Sequence, residues 1–77
     1  MIDLYMQNDC PYCNKVISFL NDNNILFNKY DTSNDDNVLR LLTIGGKEQV
    51  PFIYDSQNDV RLYESDDIIK YLSDKLK

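Results

Sequence analysis

Ile2-Asp3-Leu4-Tyr5-Met6, then Gln7-Asn8-Asp9, then Cys10-Pro11-Tyr12-Cys13-Asn14-Lys15-Val16-Ile17-Ser18-Phe19-Leu20: the reading of this opening stretch decides the fold. Ile2, Leu4 and Met6 alternate with Asp3 and Tyr5, the period-two pattern of a strand. From Pro11 the period changes. Cys13, Val16, Ile17 and Leu20 fall at i, i+3, i+4 and i+7, one apolar face of a helix over Pro11–Leu20. Proline suits the first helical position, because its ring sets φ and its missing N–H is one the first turn leaves unbonded. Cys10 then stands near the N-cap. Both cysteines of the chain therefore lie at one strand-to-helix turn.

Outward from that unit, Asn21-Asp22-Asn23-Asn24 closes the helix with turn formers. Ile25 to Tyr30 reads as a second strand, rich in branched and aromatic residues. Asp31 to Asp36 is a polar loop and helix N-cap. Val38 to Ile44 carries Val38, Leu41 and Leu42 at helical spacing, and Gly45-Gly46 ends that helix because glycine accepts the left-handed conformation. Pro51 to Asp55 and Asp59 to Tyr63 are two short strands around Ser56-Gln57-Asn58, which is hairpin spacing. The last helix starts at Ser65-Asp66-Asp67, an N-cap with acids in the first turn, and buries Ile68, Ile69, Leu72 and Leu76.

The order is thus β-α-β-α-β-β-α. A strand-helix-strand beginning predicts a parallel pair with a right-handed crossover. The expected architecture is α/β: a four-stranded mixed sheet in the order 2-1-3-4 flanked by three helices, the thioredoxin fold in its minimal form. The cysteines then lie at the carboxyl end of a central strand, where α/β sheets place their chemistry.

Composition narrows the function. Seventy-seven residues fit one small domain over 1–77. A net charge of −5 disfavours nucleic acid, whose phosphates need lysine and arginine. No apolar run approaches the ~20 residues of a membrane helix, so no membrane partner is expected. Ile2 already belongs to a strand, with no signal-peptide pattern ahead of it, and the expected setting is the reducing cytoplasm, where two cysteines point to catalysis more than to a staple. With no histidine and two cysteines the chain lacks the usual ligands of a closed zinc site, and a Cys-His hydrolase is excluded. No metal is expected.

The two thiols differ in position. A thiolate is the nucleophile, and a free thiol of pKa ~8.5 is little ionised at neutral pH. At the helix start the unpaired N–H groups of Tyr12 and Cys13 point toward the Cys10 sulfur and the helix dipole favours negative charge there. Cys10 is the expected nucleophile. Cys13, one turn in and facing the core, is the expected resolver of a mixed disulfide on Cys10. Lys15 adds a nearby positive charge, and Asp9 opposes it. Both cysteines as ordinary buried thiols, or as a metal half-site shared between two chains, are the competing readings.

At Cys10-Pro11-Tyr12-Cys13 the sequence resembles the dithiol glutaredoxins. Val50-Pro51 at the head of the third strand looks like that family's Thr-Val-Pro, which implies a cis proline and a valine main chain that pairs with the cysteinyl part of glutathione. Ser65-Asp66-Asp67 looks like the family's Cys/Tyr-Asp-Asp, which implies that Ser65 and Asp66 hold the γ-glutamyl end. Three positions depart from the pattern. The family's lysine before the first cysteine is Gln7, its Thr is Gln49, and its Gly-Gly is Tyr63-Glu64. Glu64-Ser65 is similar to the Glu-Ser of glutathione transferase N-terminal domains, which share the fold.

The resemblance implies a glutathione-dependent thiol-disulfide oxidoreductase acting through Cys10 and Cys13, with glutathione as cosubstrate. Tyr12 would line the glutathione groove. Lys47 is the preferred substitute for the missing lysine in holding the glycyl carboxylate. The implied partners are disulfide-bonded or glutathionylated proteins, with ribonucleotide reductase among the candidates, and the implied state is a monomer. Two rivals remain at this point: a partner-specific electron donor recharged by a flavin reductase, and a dimer holding an iron–sulfur cluster through Cys10 and two glutathiones.

Overall fold

In a computed structural model describing residues 1–77, the chain runs β1 (Ile2–Met6), α1 (Pro11–Asp22), β2 (Phe27–Asp31), α2 (Asp35–Gly45), β3 (Phe52–Asp55), β4 (Val60–Tyr63) and α3 (Ser65–Lys75). One four-stranded sheet has the order β2-β1-β3-β4. β1 is parallel to β2, with Leu4 opposite Lys29, and antiparallel to β3, with Leu4 opposite Ile53. β3 and β4 form the antiparallel hairpin, Ile53 opposite Leu62. This is the thioredoxin fold and strand order that the sequence pattern predicts.

Strand alternation sorts the core into two layers. Ile2, Leu4, Met6 and Ile53 face α1 and α3, where Cys13, Val16, Leu20, Ile68 and Leu72 close over them. Tyr5 and Phe52 face the other way and pack with Leu41 of α2. One helix covers that second face, and aromatic rings fill it. Tyr5 stacks on Tyr30 with ring centroids 5.0 Å apart, and Phe52 lies 4.6 Å from Tyr63. The Tyr5 hydroxyl is buried without a partner, and burial pushes its pKa above the usual tyrosine value. No helix is long and apolar enough to cross a membrane.

Four boundaries differ from the sequence reading, each for a local reason. α1 continues past Leu20 to Asp22, and β2 starts at Phe27 instead of Ile25. The turn consumes the intervening residues: Asn24 takes φ 55° and the Ile25 amide donates to the Leu20 carbonyl at 2.9 Å. α2 begins at Asp35 because the Asn34 side chain accepts from the Asp36 amide at 2.8 Å. α3 starts with Ser65 already helical. Its N-cap is Glu64, at φ 71° and with no capping hydrogen bond from its side chain.

The end of α2 follows the expectation. Gly46 takes φ 90° and its N–H donates to the Leu42 carbonyl at 2.9 Å. Gly45 is needed for a different reason. A Cβ there would collide with the Tyr63 hydroxyl and press on the Phe52 ring. That hydroxyl accepts from the Lys47 amide at 3.0 Å and donates to the Lys47 carbonyl at 2.8 Å, fastening β4 to the loop after α2.

Candidate active site

Cys10 occupies the N-cap of α1 in extended conformation, φ −104° and ψ 105°, and Pro11 follows at the first helical position. The Cys13 amide donates to Cys10 Sγ at 3.1 Å. A group aimed at the helix start receives both an orphan N–H and the positive end of the helix dipole. The two cysteines are joined as a disulfide, with Cα atoms 5.2 Å apart. They are not equivalent: Cys10 is half-buried, whereas Cys13 is sealed in the core beneath the helix. Tyr12, between them, is 66% exposed.

Beside Tyr12 runs a groove of about 550 Å³ lined by Gln49, Val50, Pro51, Glu64, Ser65, Asp66 and Asp67. Three separate segments meet there: the start of α1, the approach to β3 and the start of α3. The Val50–Pro51 peptide is cis, and Val50 takes part in no hydrogen bond within the chain. Its N–H and carbonyl are therefore free for a ligand. Ser65 is 6% exposed and its hydroxyl makes no hydrogen bond within the chain, although it lines the groove. Above it, the first-turn amides of α3 receive no side-chain cap.

Of the residues singled out from the sequence, Tyr12, Val50, Pro51, Ser65 and Asp66 come together in this groove. Cys10 and Cys13 do not line it, and reach it through Tyr12, which stands between them in the first turn of α1. Lys47 does not line it. Its backbone is tied to Tyr63, and its ammonium lies 4.7 Å from the centroid of the Tyr63 ring, a cation–π arrangement. Lys15 is also engaged elsewhere: its Nζ lies 2.8 Å from Asp66 Oδ1.

Two features escaped the sequence reading. Gln49 Nε2 donates to Glu64 Oε1 at 2.8 Å, joining the two walls of the groove. Asp67 lines it as well. Two of the four non-glycine residues with positive φ, Asp9 at 60° and Glu64 at 71°, immediately precede Cys10 and Ser65. Such backbone costs of order 1–2 kcal/mol per residue and collects at functional sites. No local pattern announces it at Glu64, because glutamate has no special tolerance for that region.

Sheet order, helix placement and the paired cysteines at a helix start define a thioredoxin-fold domain carrying a Cys-x-x-Cys redox pair. The chain belongs to the glutathione S-transferase N-terminal domain family, whose family model matches residues 4–76. Among solved structures it resembles a mutant of the thioredoxin-like protein BC3987, with 26% identity, 100% of both chains covered and a TM-score of 0.83. It also resembles a glutathione S-transferase from the Antarctic clam Laternula elliptica, with 26% identity and a TM-score of 0.81. That match covers 96% of this chain but 34% of the clam enzyme. A glutaredoxin from Brucella melitensis shares the fold at 21% identity and a TM-score of 0.67, over 96% of this chain and 78% of that one. No curated protein matches the chain.

Proposed function

We propose that the protein is a glutathione-dependent thiol-disulfide oxidoreductase of the dithiol glutaredoxin type. The observation that carries this reading is the bond from the Cys13 amide to Cys10 Sγ at 3.1 Å, beside a groove with free main-chain groups. In the reduced protein that amide and the dipole of α1 stabilise a Cys10 thiolate.

The Cys10 thiolate attacks one sulfur of a substrate disulfide, forming a Cys10 mixed disulfide and expelling the other substrate sulfur as a thiolate. Cys13, deprotonated, attacks Cys10 Sγ, releases the second substrate thiol and closes the Cys10–Cys13 disulfide. Two glutathione thiolates then return the pair to the dithiol and leave as glutathione disulfide. One substrate disulfide is reduced for one glutathione disulfide formed.

In the groove, the cysteinyl part of glutathione pairs with the free N–H and carbonyl of Val50, next to Pro51. Its γ-glutamyl carboxylate accepts from the uncapped amides of Ser65 and Asp66, and Asp66 receives its ammonium. Tyr12 supplies an apolar wall. Residues 1–77 act as one domain and as a monomer in the reducing cytoplasm, on disulfide-bonded or glutathionylated proteins, with ribonucleotide reductase among the candidates.

Reduction of a glutathione mixed disulfide tests the reading. Cys10→Ser abolishes turnover, and Cys13→Ser keeps much of it, because the monothiol route needs the first cysteine alone. Equal loss in both sinks the glutathione reading. It leaves the second one, a partner-specific donor recharged by a flavin reductase, which is favoured by a groove with no cationic side chain to hold the glycyl carboxylate.

A further inference from the structure

The groove beside Tyr12, which with Pro11 lies between the two cysteines, is acidic. Glu64, Asp66 and Asp67 line it, and no lysine or arginine does. Lys15, the cation known to reach it, is already paired with Asp66 at 2.8 Å. In the chain, exposed Asp9 directly precedes Cys10. At the floor, Ser65 offers a hydroxyl on a residue 94% buried, without a partner in the chain, which marks the groove as built for a polar occupant. Gln49 holds Glu64 in place against the opposite wall.

An occupant entering from solvent brings its own charge into this field. Acidic segments meet like charge in the groove and at Asp9, and basic ones are drawn in. From this we infer that the protein substrates are disulfides flanked by lysine or arginine, read by Glu64 and Asp67 in the groove and by Asp9, the residue before Cys10. The inference rests on the thiol-disulfide reading above and extends it to the class of polypeptide that is reduced. The chemical step is the one already balanced: the substrate disulfide becomes two thiols, and the Cys10–Cys13 dithiol becomes a disulfide.

The test uses the pre-reduced full chain, without glutathione, in single turnover against three model peptides. They share one Cys-x-x-Cys disulfide loop and are flanked by lysine, glutamine or glutamate. The expected order of second-order rates at low salt is lysine, glutamine, glutamate, with at least about a tenfold span. Roughly 0.5 M salt shrinks the span, because exposed charges are screened within a few ångströms there. Glu64→Gln combined with Asp67→Asn brings the lysine-to-glutamate ratio toward one. The ratio is internal to each variant, so a general loss of rate does not move it. Equal rates for the three peptides in the parent chain, or a ratio that the double variant leaves intact, overturns the inference while thiol-disulfide exchange stands. No reduction of the glutamine peptide overturns both. The expected order with no activity on glutathione mixed disulfides supports the inference and removes glutathione alone.

Discussion

Lys15 Nζ and Asp66 Oδ1 stand 2.8 Å apart, tying the helix that carries the cysteines to the first turn of α3. The two side chains are 56% and 84% exposed, so the pair adds little to stability, in the range of about 0–1 kcal/mol. Its consequence is for the site. The carboxylate proposed to receive an ammonium from the ligand already holds one from the protein, and the ligand must displace it.

Lys15→Gln frees Asp66. The variant keeps its melting temperature to within the effect of about 0.5 kcal/mol. Release of a pair that weak lowers KM for a glutathione mixed disulfide about twofold with kcat unchanged. Steady-state kinetics beside a thermal melt checks both halves; a raised KM would mean that Lys15 attracts the ligand's carboxylates instead of competing for Asp66.

At the opposite end of the sheet lies the best-satisfied charge in the molecule. Asp55 is 1% exposed and accepts from Tyr71 Oη at 2.6 Å, Lys75 Nζ at 2.7 Å and Asn58 Nδ2 at 2.9 Å, with the Gln57 amide at 3.1 Å. Burial raises its pKa, but the bonds from Lys75, Tyr71 and Asn58 outweigh burial and hold the carboxyl well below the usual carboxylate range. A depressed native pKa contributes stability that is fully present above the unfolded value of about 3.9 and is lost as pH falls through that value toward the native one. Lys75 is shifted upward by its bond to Asp55, so its share is intact below about 10.4 and is lost at higher pH. Denaturant melts are therefore expected to weaken below about pH 4 and to be flat from there to pH 9 as far as this cluster is concerned. Asp55→Ala costs about 3 kcal/mol and flattens the acid limb; unchanged acid sensitivity in that variant would assign the limb to other carboxylates.

Much of this was legible in the sequence, and the boundary is physical. The strands, helices and their order follow from apolar period, and Cys10 and Val50-Pro51 fall where their neighbours predict, whereas Ser65 lies one residue further into α3 than its capping pattern suggests, with Glu64 at the N-cap. Lys15 reads as a charge near Cys10 and Lys47 as the holder of the glycyl carboxylate, but where a long flexible side chain ends depends on partners brought in by the fold. Lys15 finds Asp66, 51 positions away, and Lys47 finds the Tyr63 ring. The same holds for Gln49 and Glu64, which meet across the groove. Asp55 read as a strand end, and nothing local identifies it as buried; two of its partners, Tyr71 and Lys75, come from α3.

The two adjacent glycines separate two effects that sequence alone merges. Gly45→Ala places a methyl against Tyr63 and Phe52, whereas Gly46→Ala meets no atom within 4 Å and suffers from its φ of 90°. The first is expected to cost about 1–3 kcal/mol by forcing apart the α2–β4 contact, the second about 1 kcal/mol. Urea melts rank them. Removing the hydroxyl in a Gly45→Ala, Tyr63→Phe double variant recovers part of the first loss and none of the second, and equal costs with no recovery would refute the packing explanation.

Ser65→Ala tests whether the floor of the groove is there for a ligand. The residue is buried, and its hydroxyl bonds nothing in the chain, so deleting the oxygen removes no internal hydrogen bond and a melt should shift by less than about 0.5 kcal/mol. A hydroxyl that bonds the bound glutathionyl group contributes about 1 kcal/mol, which corresponds to roughly a fivefold rise in KM for a glutathione mixed disulfide. Because the bond is made to a part of the ligand remote from the reacting sulfurs, it is present equally in the bound state and in the transition state, and kcat holds. Ser65→Cys returns a weaker donor and is expected to fall between the two. A KM unmoved by Ser65→Ala would mean that the ligand does not reach the floor, and the proposed seat of the γ-glutamyl carboxylate on the first turn of α3 would then be wrong.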